Sequence, residues 1–319
     1  MTTDAKKTIL LLLRARKLEE RLRGLRRLSS LPGEDRWRLA LPLLEDSSHF
    51  VAAEAVGCLD DCDDNEILMS LCRHFEKWTE GGAKSDPGCH LRAKLAYLFG
   101  HQEYTQATEV LFIGLRTRQI EAVGGVPFDT AAHLRANCAL ALASLRTPDL
   151  LRDLALLLFG SGGEVLNPAL RHTGVEPRKA AAQAIVLLGD PAGLIPLTLK
   201  LVQGADEEAA EVLQECMTAL IELKDERATE FLSPFLRHRD AGLAGYAALM
   251  IARSGNPQSA QTLCTALPSL PPETQKIAAL ALLTMRTEEA DKCLTELEGT
   301  QSPGVIKAIR EARQMLEQG

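Results

Sequence analysis

The residues of this chain that could do chemistry are few and scattered. Cys58-x3-Cys62 lies near Cys72, His74, Cys89 and His90, the residue types that hold zinc. The spacing matches no standard pair of zinc knuckles, and Cys58 and Cys72 fall on apolar helical positions. They read as buried thiols that pack as small hydrophobes, so neither metal nor cofactor is expected. Asp129 and His133 stand four apart and could pair as acid and base, but Asp129, or Thr130, is more simply a helix N-cap. Gly160–Gly163 is glycine-rich yet joins no strand to a helix, so it reads as a flexible loop. The chain has no GxSxG, no GxxxxGK[ST] and no HExxH, which argues against the hydrolase, phosphate-loop and zinc-protease classes.

Charge is the other chemical resource. Residues 1–38 carry eleven Lys/Arg against five acids, a net +6, so the rest of the chain carries −13 of the total −7. The acidic body disfavours a general polyanion binder. In the basic segment Leu10–Leu13, Leu18, Leu22, Leu25 and Leu28 form an apolar stripe. That pattern suits a surface-binding helix, and it equally suits a capping helix that packs its leucines and leaves its charges in water. The capping reading is preferred, with nucleic-acid binding or base repair through this segment as the alternative.

The elements that must position any site are helices. Hydrophobic residues make up 46% of the chain and aromatics only 4%, so Leu and Ala supply the core, and both favour helix. No apolar run approaches the roughly 20 residues that span a bilayer. Ile9–Leu13 is too short for a signal sequence, so a soluble cytoplasmic protein with eight reduced cysteines is expected.

An alanine-rich helix, a short polar turn and a second apolar helix recur along the chain. The clearest copy is Arg178–Leu201, with looser ones at His49–Asp60, His90–His101, Leu134–Leu151, Gly245–Leu263 and Gln275–Ala290. Thr147-Pro148, Asp190-Pro191 and Asn256-Pro257 each offer an N-cap side chain followed by a proline that needs no donor. Asp225 and Thr287 hold the same cap position, and the cap-to-cap steps are 43, 35, 31 and 31 residues. Small residues such as Ala93, Ala96, Ala139, Ala141, Ala182 and Ala184 recur where first helices must pack closely. One pair cannot bury its own apolar face, but stacked pairs can.

Units of this length, with AAxAL-type first helices and a GDP-type turn, resemble HEAT repeats, in particular the short variety of phycobilin lyases. The resemblance implies an all-α fold, an α–α superhelix: a right-handed solenoid of about seven to eight helical pairs. It implies one domain over 1–319, with capping helices in 1–46, repeats in 47–298 and a final capping helix in 299–319. It also leaves room for a chromophore- or cofactor-lyase activity. Some HEAT-like hydroxylases bind iron through His-Glu dipeptides, and this chain has none.

Three insertions break the repeat: Lys77–Cys89, Thr117–Asp129 and Phe159–Pro177. Each follows a second helix, so all three should emerge on one edge. Long loops in a compact array are uncommon and often functional. The expected partner-binding residues are Trp78, Arg118, Phe128, Arg171 and His172 in these loops, with Arg92, Arg135 and Arg178 at the starts of the adjoining helices. Arginine can clamp carboxylates and exposed aromatics can anchor a partner. The function expected is a non-catalytic scaffold that binds a protein through its curved surface and this edge.

Overall fold

The computed structural model describes residues 3–160, 174–299 and 302–318. The fold is all-α apart from one small hairpin, and it divides into two compact units, Met1–Leu188 and Gly189–Gly319.

In the first unit α1 (Thr3–Leu13), α2 (Leu18–Leu28) and α3 (Gly33–Ala40) lead into helical pairs. These are α4 (His49–Gly57) with α5 (Asn65–Gly81), α6 (His90–His101) with α7 (Thr108–Arg116), and α8 (Ala132–Ser144) with α9 (Leu150–Leu158), followed by α10 (Val175–Leu188). First helices stack on first helices, in the order α2, α4, α6, α8, α10. The alanines explain how: Ala96, Ala139, Ala182 and Ala184 are fully buried between neighbours. The tightest approach is α6 against α8. A Cβ on Gly100 would lie 2.9 Å from the Cα of Ala141, so no larger residue fits there.

The second unit repeats the plan. It contains α11 (Leu194–Gly204), then α12 (Ala210–Glu222) with α13 (Ala228–Leu232), α14 (Ala241–Arg253) with α15 (Ser259–Ala266), α16 (Pro272–Met285) with α17 (Glu288–Gly299), and finally α18 (Pro303–Gln318). The first helices α12, α14, α16 and α18 again form one layer.

Four of the five expected caps form. Asp190, Asp225 and Asn256 accept from the backbone N–H two residues on, at 2.8–3.0 Å, and Thr287 accepts from Ala290 N at 3.2 Å. Thr147 does not cap: its hydroxyl is buried without a hydrogen-bond partner. The turn there places Arg146 and Asp149 in left-handed backbone, which moves the start of α9 to Leu150.

Two further expectations change. The basic segment whose leucine stripe reads as a single capping helix is two helices, because Arg21 holds a turn between them. Its guanidinium donates to the carbonyls of Ala15 and Arg16 at 3.0 and 2.9 Å and pairs with Asp46. The cysteines are not all thiols either: Cys264 on α15 and Cys293 on α17 are joined, with Cα atoms 5.9 Å apart, inside disulfide reach. Adjacent second helices bring them together, which spacing along the chain does not reveal. Among the described residues, no helix is long and apolar enough to cross a membrane.

Candidate functional site

Thr117–Asp129 is not an open loop. Ile120–Val123 (β1) and Val126–Asp129 (β2) pair as an antiparallel hairpin with Val123 opposite Val126. Gly124 and Gly125 supply the turn, both at positive φ, as a two-residue hairpin connection requires. Pro127 is tolerated because a two-stranded ribbon has only edge strands.

What fixes the base of this hairpin is a pair of buried ions used twice. Asp86 and Arg92 are 0% and 1% exposed, with Arg92 Nε 2.9 Å from Asp86 Oδ2. Asp129 and Arg135 are each 1% exposed, with Arg135 Nη1 2.7 Å from Asp129 Oδ2. In both cases the aspartate sits six residues before the arginine, just ahead of a first helix. Charges this deep are tolerable only when paired, and each of these four has its opposite charge within 3 Å. Asp86 also accepts from the backbone N–H of Leu91 and Arg92 at 2.9 and 3.1 Å, which satisfies orphan donors at the start of α6. Asp129 accepts from the N–H of Ala131 and Gln119 and from Arg118. Arg135 donates further to the Thr117 carbonyl at 3.1 Å.

Gln119 and Glu121 tie the two insertions together. Arg92 Nη2 donates to Gln119 Oε1 at 2.8 Å, and Gln119 Nε2 donates to the Asp86 carbonyl at 3.0 Å. The Glu121 carboxylate accepts from Gly88 N at 2.8 Å, from Gln119 Nε2 at 3.0 Å and from the Thr130 hydroxyl. Burial pushes the Glu121 carboxyl up, but those donors outweigh it and hold the group below its ordinary range. The insertions at 77–89 and 117–129 thus form one edge.

The expected site residues divide accordingly. Phe128 is exposed and Arg118 is partly so, with Nη1 3.2 Å from Asp129. Trp78, Arg92, Arg135 and Arg178 were expected at the surface and are all buried, so they cannot serve as exposed anchors or clamps. Trp78 is buried because α5 runs on to Gly81, so Ile67, Leu71, Phe75 and Trp78 make one continuous inward stripe. Arg92 and Arg135 are consumed by their aspartates. Arg171 and His172, with most of the third insertion, lie outside the described residues.

Sequence reasoning missed Ile120, Val123 and Val126, which are 52%, 55% and 58% exposed. The signal was there in Val-Gly-Gly-Val between two short apolar runs. It also gave Asp129 a simple capping role, whereas its carboxylate is the hub of the Arg118–Arg135 cluster.

Nucleophilic chemistry finds no support at the cysteines. Burial pushes the thiols of Cys58, Cys62 and Cys72 up to about 11, and those of Cys89 and Cys216 up to about 12. Among the described residues, no group of three or more His, Cys, Asp or Glu side chains is arranged to hold a metal.

No family model matches the sequence, and no curated protein matches it. Three solved structures are similar in outline. The complex of CpcE and CpcF of phycocyanin lyase from Nostoc sp. is 17% identical over 87% of this chain and 94% of that one, at a TM-score of 0.38. Human deoxyhypusine hydroxylase, in complex with glycerol, is 16% identical over 92% and 100%, at 0.35. A chain from work on a phosphorylation switch in the interaction between cadherin and beta-catenin is 17% identical over 96% and 68%, at 0.38. Likeness at this level carries neither an activity nor a partner across to this chain.

Proposed function

We propose that this chain is a protein-interaction scaffold without a catalytic role, and that the hairpin at Ile120–Asp129 is its principal contact. One observation carries the reading: an arm with four exposed apolar side chains stands on a buried, ion-paired base. Isolated surface hydrophobes need no explanation, but Val123, Val126 and Phe128, exposed together on one face of a short hairpin, form a patch. The register sets Val123, Val126 and Phe128 on one face and Ile120, Ala122 and Pro127 on the other. A base held by Asp86–Arg92 and Asp129–Arg135 limits the ordering cost of binding, which is where preorganised contacts gain affinity. The partner that fits has an apolar cleft to accept the arm and a basic rim to meet the acidic body.

The test is affinity capture with the full chain and with Val123→Asp/Val126→Asp, followed by mass spectrometry. Both valines are more than half exposed, so the double variant should keep its stability to within about 0.5 kcal/mol. It should lose the partners that the parent retains. An unchanged set of partners refutes the reading.

A further inference from the structure

The tip of the α1–α2 hairpin combines charge and exposed apolar surface in a way the interaction arm does not use. Arg14, Arg16 and Lys17 form the connecting turn, and Arg23, Arg26 and Arg27 follow on α2; all six are exposed and make no ion pair among the described residues. Between Ala5 and Gly33 the only acids are Glu19 and Glu20. On α2 the three arginines lie opposite its buried face of Gly24, Leu25 and Leu28, so they point to solvent. The turn itself is held in shape. Arg21, neutralised by Asp46 at 2.8 Å, donates to the carbonyls of Ala15 and Arg16. Gly24 lets α1 close tightly on α2, since a Cβ there would lie 2.8 Å from Leu13 Cδ2.

Two leucines flank the cations. Leu11, one turn before Arg14, is 74% exposed, and Leu18, the first residue of α2, is 37% exposed. An end cap that only shielded the stack would bury its leucines, as Ile9, Leu13, Leu25 and Leu28 are buried, and would not leave Leu11 outermost. We infer that this tip docks on an anionic lipid surface, with Leu11 and Leu18 entering the headgroup boundary and the cations lying among the lipid phosphates and carboxylates. Charge complementarity and the flanking leucines both favour a bilayer. A nucleic acid would meet the cations but leave Leu11 without a contact. Residues 3–28, which make up the two helices and their turn, also include no aromatic ring for base stacking.

The experiment is co-sedimentation of the full chain with phosphatidylcholine vesicles, with and without phosphatidylserine, at low and raised salt. Binding is expected only with phosphatidylserine and should weaken with salt. Each cation removed should weaken it about five-fold, so Arg14→Gln/Arg16→Gln/Lys17→Gln should weaken it roughly a hundred-fold. Leu11→Ser should weaken it about ten-fold or more, with an unchanged circular dichroism spectrum. The inference is overturned if phosphatidylserine vesicles are not bound at low salt, or if Leu11→Ser binds them as tightly as the parent. It is also overturned if an oligonucleotide displaces the chain from the vesicles and Leu11→Ser holds that oligonucleotide undiminished, which assigns the patch to nucleic acid. The scaffold reading is unaffected by any of these outcomes, because the hairpin at Ile120–Asp129 is not involved.

Discussion

Replacing Asp86 with alanine should be among the most damaging single changes in the first unit. The carboxylate pairs with Arg92, which is 1% exposed, and it accepts from two backbone donors, Leu91 N and Arg92 N. Without it, Arg92 keeps only the side-chain oxygen Oε1 of Gln119 at 2.8 Å and the weak acceptor Cys89 Sγ at 3.1 Å. Removing one partner of a buried ion pair costs about 3–5 kcal/mol, because the remaining charge is stranded away from water. The two orphaned amides place the cost toward the upper end of that range. For a body the size of Met1–Leu188, each kcal/mol lowers Tm by about 2–4 °C, so a fall of roughly 8–16 °C is expected. Urea and thermal unfolding followed by circular dichroism would measure it. The companion variant Asp86→Ala/Arg92→Met decides the cause. If the stranded charge dominates, removing it as well should recover a large part of the loss, since apolar replacement of a buried pair is often close to neutral. A loss below about 1 kcal/mol for Asp86→Ala refutes the reasoning, as does a double variant no more stable than the single one.

Two further outcomes follow from the same structure. Glu121 has its folded pKa below the ordinary 4.5, so its contribution to hairpin docking is complete above that value and is lost as pH falls through the folded pKa. The protection factors of the Gly88 amide and of those around Gln119, taken against intrinsic exchange at each pH, should therefore be constant near neutrality and fall as pH drops through that pKa, and Glu121→Gln should abolish that pH dependence. Across the chain six of the eight cysteines are free and the other two are linked in the second unit, so alkylation of the denatured chain without reductant should add six groups. The Cys264–Cys293 link closes a loop of 29 residues, so reduction should cost about 3–4 kcal/mol. Eight alkylations would show that the link does not form.

The helical plan was legible because the signals for it are local. Alanines at close-packing positions and capping side chains before Pro191 and Pro257 act within one turn of themselves, and the first helices fall where they predict. Thr147 failed because its neighbours Arg146 and Asp149 take left-handed backbone, which residue type alone does not announce. Two of the three insertions meet at one edge, as their departure from the repeat step suggests, but Trp78, Arg92, Arg135 and Arg178 are buried rather than presented to a partner. Arginine at a helix start reads as surface by composition, and only a buried carboxylate partner makes it core. The six-residue spacing of Asp86 to Arg92 and of Asp129 to Arg135 was the available clue, and it shows only when the two segments are laid side by side. The hairpin was hidden by its brevity: two four-residue strands have too little alternation to stand out beside long helices.

The twin ion pairs also divide the edge into stretches with opposite tolerance of length change. Between Asp86 and Arg92, and between Asp129 and Arg135, one inserted or deleted residue would swing the arginine about 100° around its helix axis and away from its carboxylate. At Gly124–Gly125 nothing lies within 4 Å of where a side chain would begin, and extra residues there disturb neither pair. Related chains should thus diverge in hairpin length while holding the two spacings fixed.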